Sequence, residues 1–261
     1  MRHTQALADS ALPLFALTDL PQAHPSASSS TREPSYLHDH RHRLRTRFAE
    51  RGAASVPDYE LLELLLFRAM PRQDVKPLAN RLMEQFGDFN EVVSAPEGRL
   101  LEIEGVGPAV VQDLKIVEAA AHRMARARIL NRHVLSNWDA LLDYCHTTMA
   151  HRATEQFRVL YLDARNALLA DEEQAQGTVD HVPVYPREVV KRALEFNASA
   201  LILVHNHPSG DATPSSADIS MTQAILRAAE ALGLTVHEHL IIGREDEFSF
   251  REAELLRPDT E

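Results

Sequence analysis

The 261-residue chain is 44% hydrophobic, enough to build the buried core of one large domain or two modest ones. Its 38 acidic and 27 basic side chains give a formal net charge of −11, which argues against a surface devoted to polyanions. The single cysteine, Cys145, excludes an intrachain disulfide and any multi-cysteine zinc site, and no run approaches the roughly 18 apolar residues of a membrane span.

The charge is unevenly spread. Residues 36–133 hold 15 Lys/Arg against 14 Asp/Glu, whereas residues 134–261 hold 10 against 21. Any contact with nucleic acid is therefore expected from the first segment, around "RHRLRTR" at 41–47. The N-terminus has no basic start, continuous apolar run and small-residue cleavage site in succession, so a cytoplasmic protein without a membrane partner is expected.

Residues 1–35 include the Ser/Pro/Ala-rich run "AHPSASSSTREPS" and read as a mobile extension. From 36 to 133 the pattern is helical: "DYELLELLLFRAM", "VKPLANRLMEQFG" and "PAVVQDLKIVEAAAHRMARARIL" carry apolar residues at three- and four-residue spacing, broken by Gly or Pro. Within it, "LLEIEGVGPAVVQDLK" looks like a helix-hairpin-helix, whose Gly105-Val106-Gly107 turn would offer backbone N–H groups to a phosphate. Ala109 stands where a basic residue often follows, Val111 where a small alanine would help the helices approach, and Lys115 is the nearest cation. An adaptor packing two helices on a glycine turn explains the pattern equally well.

From 134 to 261 strands and helices alternate, as in a mixed α/β domain. "EQFRVLYLD" reads as a strand, "ALLADEEQAQGTV" as a second strand entering a turn, "PREVVKRALEF" as a helix with Pro186 in its first turn, and "ALILV" as a buried strand. "SADISMTQAILRAAEAL" is a helix and "LTVHEHLIIG" a further strand. Cys145, in "DALLDYC", reads as core packing.

The run "HNHPSGDATPSSAD" at 205–218 carries the chemistry. His205 and His207 lie two apart where the buried strand emerges, so extended backbone aims both imidazoles to one face. Ser215 is placed to cap the next helix, with Asp218 in its first turn. Two imidazoles, a carboxylate and a water make a tetrahedral zinc shell with one open position. A histidine pair ending a strand beside an ordinary capping box is the competing structural reading. The string "HNH" does not signal the nuclease of that name, which spreads its residues over a ββα unit.

His-x-His followed by Ser215 and Asp218 at this spacing looks like the JAMM (MPN+) metalloprotease motif. "GTVDHVPVYPREVVKRALEFNASALILVHNHPSGDATPSSADI" and "LTVHEHLIIG" resemble the bacterial RadC-like family, also called UPF0758, over essentially all of 134–261 and more weakly in the helical segment. The resemblance implies a JAMM/MPN-like α/β (α+β) domain with a mixed sheet and flanking helices, preceded by a small all-helical domain. It implies one zinc per chain held by His205, His207 and Asp218, with Ser215 hydrogen-bonding the developing oxyanion. It also implies a glutamate base on an earlier strand, and Glu172 matches best, with Glu173 as its neighbour on the opposite strand face. The implied reaction is hydrolysis of an amide bond in a peptide or protein. The alternative is a DNA-associated repair accessory that binds weakly through 36–133. His237 and His239, in "VHEH", are expected to share a strand face as supporting or rival ligands, with Glu238 where relatives commonly carry aspartate.

Overall fold

The computed structural model describes residues 35–130, 132–177 and 184–257. The expected extension therefore falls outside the described residues except for Ser35, as does the end of the turn after "EEQAQ". Six helices come first: α1 (Ser35–Arg51), α2 (Asp58–Ala69), α3 (Lys76–Phe86), α4 (Phe89–Ser94), α5 (Glu97–Leu101) and α6 (Pro108–Ile129). They close around Leu62, Leu66, Leu82, Leu100 and Leu114, all essentially inaccessible to solvent.

Three of the basic side chains of this module are engaged within it. Arg41, in the "RHRLRTR" run, is buried and donates to the carbonyls of Met70 and Gln73. Arg47 is paired with Glu60. Lys115 donates to the Val93 carbonyl at 2.9 Å and to Glu118 at 2.8 Å, so it braces α6 on α4 and does not point at the glycine turn. Gly105 has φ +93°, a left-handed conformation that suits glycine and lets α5 break sharply into α6.

Helix α6 belongs to both halves. Pro108 starts it after Gly107 at the N-cap, and Val110, Val111 and Leu114 enter the helical core. At its other end Ile129 is buried in the second core.

The second half contains α7 (Trp138–Met149), β1 (Gln156–Leu162), β2 (Leu168–Gln176), α8 (Pro186–Glu195), β3 (Ala200–Asn206), α9 (Ser216–Glu230), β4 (Thr235–Ile242) and β5 (Glu247–Ser249). The strands form one sheet in the order β2-β1-β3-β4-β5, antiparallel except for the β3–β4 pair. The expected mixed sheet with flanking helices is what the chain forms. Leu160, Leu162, Ile202, Val204, Leu240 and Ile242 pack one face against α7, where Cys145 is also buried. Burial pushes the Cys145 thiol well above its usual range, which suits a core residue and not a nucleophile. Phe157, Val159, Tyr161, Leu201 and Leu203 form the other face, under α8 and α9. Strand β3 is central and buried along its whole length, which explains the uninterrupted apolar run in its sequence. Among the described residues no helix is long and apolar enough to cross a membrane.

Candidate metal centre

His205 is fully buried on β3, and its register partner on β1 is Phe157, whose ring stacks on the imidazole at 6.1 Å. His207 lies just past the strand end and keeps a partly exposed side chain. The loop after it is pinned: the His207 N–H donates to the Ile242 carbonyl at 3.0 Å and the Arg244 N–H to the Gly210 carbonyl at 3.1 Å. Gly243 permits that approach, since a Cβ there would stand 2.6 Å from the Gly210 oxygen. The loop delivers Ser215 as the N-cap of α9 and brings Asp218, in the first turn, back onto the histidines.

The expected cluster is assembled. His205 Nε2 lies 3.1 Å from His207 Nε2 and 3.3 Å from Asp218 Oδ1, and His207 Nε2 lies 3.5 Å from Asp218 Oδ2. The His207 Nδ1 is 2.7 Å from the Asp211 carbonyl. A carbonyl only accepts, so Nδ1 carries a proton, and Nε2 is the nitrogen turned to the cluster, available to a metal when the ring is neutral. Three potential ligand atoms thus converge, and together they could hold a metal ion.

The local electrostatics support cation binding. Burial pushes Asp218 up, but the adjoining His205 and His207 and the hydrogen bond from Ser215 outweigh it and hold the carboxyl far below the usual carboxylate range. Burial lowers His205, with Asp218 opposing. The bond to Asp218 raises His207 above the ordinary imidazole value, and the charge of Glu155 adds to it.

The remaining expected site residues fall differently. Ser215 donates its hydroxyl proton to Asp218 Oδ2 at 2.6 Å, and its N–H also reaches Oδ2, at 2.7 Å. Its oxygen in turn accepts from the Asp218 N–H at 3.1 Å. The single proton expected to serve an oxyanion is thus committed to orienting the carboxylate.

Glu172 is on the same sheet face as His205, because it pairs with Val159, whose partner on β3 is Leu203. It lies on the outer strand and one pair further along. Its carboxylate turns away to a two-pronged ion pair with Arg192 of α8, and Gln174 donates to it at 3.2 Å. The Arg192 hydrogen bond lowers the Glu172 carboxyl below its usual value. Glu173 and Asp171 pair with Arg158 and Leu160 on the reverse face, where Asp171 receives Tyr144 and Arg158. The structure therefore does not bring Glu172 to the cluster.

Sequence reasoning passed over a different acid. Glu155 immediately precedes β1 and is only 8% exposed. Continuing the Phe157–His205 register by two residues brings it abreast of His207, whose imidazole feels its charge. The available signal was alternation: Glu155 has the parity of Phe157, Val159 and Tyr161.

His237 and His239 do not share a face. A bulge sets Val236 opposite Leu201 but Glu238 opposite Ile202, and His237 in between turns to Asn166 at 2.7 Å. His239 alone faces the cluster, its Nε2 2.8 Å from His205 Nδ1. Glu238 does have a hydrogen-bonding role: it accepts from the Ser249 hydroxyl at 2.7 Å and from the N–H groups of His239 and Arg251 at 2.8 and 3.0 Å.

Comparison with known proteins agrees with this geometry. A family model described as RadC-like JAB domain matches residues 135–255, and one described as UPF0758 N-terminal matches 38–111. A UPF0758 protein of Ruegeria pomeroyi is 72% identical over 218 residues, covering 84% of this chain and 97% of the relative. A UPF0758 protein of Rhodobacter capsulatus is 71% identical over 213 residues, covering 82% of this chain and all of the relative. With both modules matched in chain order and such relatives spanned almost end to end, the chain belongs to the UPF0758 family and carries a RadC-like JAB domain behind its helical module.

Proposed function

We propose that this protein is a zinc-dependent hydrolase of amide bonds, acting on a peptide or isopeptide bond of a protein substrate. The observation that carries the reading is the donor set itself. His205 Nε2 lies 3.1 Å from His207 Nε2 and 3.3 Å from Asp218 Oδ1, close to the edge of about 3.3 Å that a tetrahedron with bonds near 2.0–2.1 Å requires, and the second carboxylate oxygen, Oδ2, lies 3.5 Å from His207 Nε2. His205, His207 and Asp218 would hold one zinc. When bound, zinc supplies a Lewis acid that polarises a carbonyl and draws the pKa of a water toward about 7.

The chain's own groups supply the rest. Glu155 is assigned as the base: its carboxylate takes a proton from the attacking water and hands it to the departing amine, so no protein nucleophile is needed. Glu172 is assigned a structural role, tying β2 to α8 through Arg192. Ser215 aims Asp218. Metal content of the purified protein, together with cleavage of isopeptide-linked and peptide substrates that a chelator abolishes and zinc restores, tests the reading. Protein that stays zinc-free when incubated with the metal would remove it.

Two expectations follow from the environment of the cluster. Ser215→Ala removes a cap worth about 0.5–2 kcal/mol and frees Asp218, so zinc affinity should fall along with stability. Unchanged zinc affinity with a rate loss of about 10²-fold would instead return Ser215 to the oxyanion role. Zinc must displace the proton from His207, whose pKa Asp218 raises above the usual imidazole value. Affinity should therefore decline as pH falls, beginning above the ordinary histidine range and approaching about tenfold per pH unit for one displaced proton. Titrations with zinc at stepped pH measure this.

The helical module is proposed to contribute weak, sequence-independent DNA binding at most. With Arg41, Arg47 and Lys115 engaged internally and 14 acidic side chains balancing the 15 basic ones, the net counterion release should be small and the dependence of affinity on salt shallow. Fluorescence anisotropy across a salt series checks it, and a steep slope would contradict it.

A further inference from the structure

Behind the cluster lies a chain of buried polar contacts that the proposed hydrolysis does not use. Thr222, on α9, places its Oγ1 2.6 Å from the Asp218 carbonyl oxygen and 2.6 Å from His239 Nδ1. His239 Nε2 lies 2.8 Å from His205 Nδ1. All three side chains are completely inaccessible to solvent, and His239 is enclosed by the rings of Phe157 at 5.8 Å and Phe250 at 4.4 Å.

From these contacts we infer that Thr222 and His239 are positioning residues, which hold His205 with its proton on Nδ1 and its Nε2 bare toward His207 and Asp218. The order of protons follows from one end. Two oxygens 2.6 Å apart need a proton between them, and the carbonyl has none to give, so Thr222 spends its only proton on Asp218. The contact with His239 must then be filled by a proton on His239 Nδ1. A neutral His239 is left with a bare Nε2, which can only accept, and the donor to it is His205 Nδ1. The last imidazole in the chain therefore turns an unprotonated Nε2 to the place where three ligand atoms meet. Asp218 sits at both ends: its carbonyl sets the direction of the relay, and its carboxylate closes the cluster.

The same logic says what breaks the device. Thr222→Val keeps the shape but leaves the His239 Nδ1–H buried without an acceptor, which a dry interior penalises. The relief is to move that proton to Nε2. His239 then donates to His205 Nδ1, and the His205 proton shifts to Nε2, where it blocks the ligand position.

The value of this tautomer for metal binding rests on the zinc reading, but the tautomer is a property of the metal-free protein and is measured there. In ¹⁵N spectra of the imidazoles, His205 of the zinc-free wild type is expected to show a protonated Nδ1 and a bare Nε2, and Thr222→Val should reverse it. In chelator competition, Thr222→Val should bind zinc about 10–100-fold more weakly, while Thr222→Ser, which keeps the hydroxyl, stays close to wild type. A purely structural threonine would change stability and leave the tautomer alone. Wild-type His205 protonated on Nε2, or Thr222→Val with wild-type zinc affinity, would overturn the inference. A wild type with the expected tautomer and no zinc affinity would instead sink the zinc reading and leave the relay standing. Should Thr222→Val not fold, the wild-type spectrum decides.

Discussion

Glu155→Gln should leave the fold and the bound zinc intact and remove most of the hydrolysis, about 10²–10⁴-fold, the usual contribution of general acid–base catalysis. That loss corresponds to roughly 3–5 kcal/mol of barrier. The substitution preserves shape, and the three cluster ligands are all elsewhere, so zinc content is the internal control. Glu172→Gln makes the contrast. Its carboxylate is occupied by Arg192 in a partly exposed ion pair, so its loss should cost about 0–1 kcal/mol of stability and change the rate by no more than a few-fold. The measurement pairs zinc content with turnover on a cleavable peptide or isopeptide substrate. An active Glu155→Gln beside a dead Glu172→Gln would return the base to β2, and activity in both would end the glutamate mechanism.

The second large effect is expected from His207→Ala, which should abolish zinc binding at modest cost to the apoprotein. His207 keeps 16% of its side chain exposed and lies past the strand end, so truncation opens toward solvent and leaves no closed core cavity. If wild-type protein is heated with zinc at a thousand times its dissociation constant, binding adds about 4.1 kcal/mol to the folded state. At about 2–4 °C per kcal/mol for a chain of this size, the melting temperature should rise by roughly 8–16 °C. His207→Ala should show no rise. His205→Ala should also lose zinc, but it confuses the result, because removal of a fully buried ring strips contact from Phe157 and leaves His239 Nε2 without its donor. Asp218→Asn should fall between, since a neutral amide replaces an anionic ligand. A zinc-induced rise surviving in His207→Ala would remove His207 from the site.

What the sequence determined by itself lies within single elements and the short loop between two of them. The apolar run of β3 required a buried strand, alternation put His205 and His207 on one side, and Pro, Gly and the Ser215–Asp218 capping box turned the chain back within a dozen residues. These are local constraints, and they were enough to specify the three-residue cluster. Resemblance to the RadC-like family fixed the choice of metal reading over a structural one, and the same resemblance steered the base to Glu172, which pairing does not support.

Tertiary structure decided whatever depended on which strand lies beside which. Glu155 is an unremarkable acid until β1 pairs with β3 and its parity becomes that of His205. Glu172 is on the correct face, yet α8 brings Arg192 over it, and a bidentate pair outcompetes a more distant cluster. The bulge in β4 parts His237 from His239, which strict alternation had joined. The committed arginines of the helical module belong to the same class, since a charge count cannot tell a solvated guanidinium from one donating to buried carbonyls. In each case the sequence specifies the hydrogen-bonding capacity of a side chain, but its partner is set by contacts across tens of residues, which only the packed chain brings together.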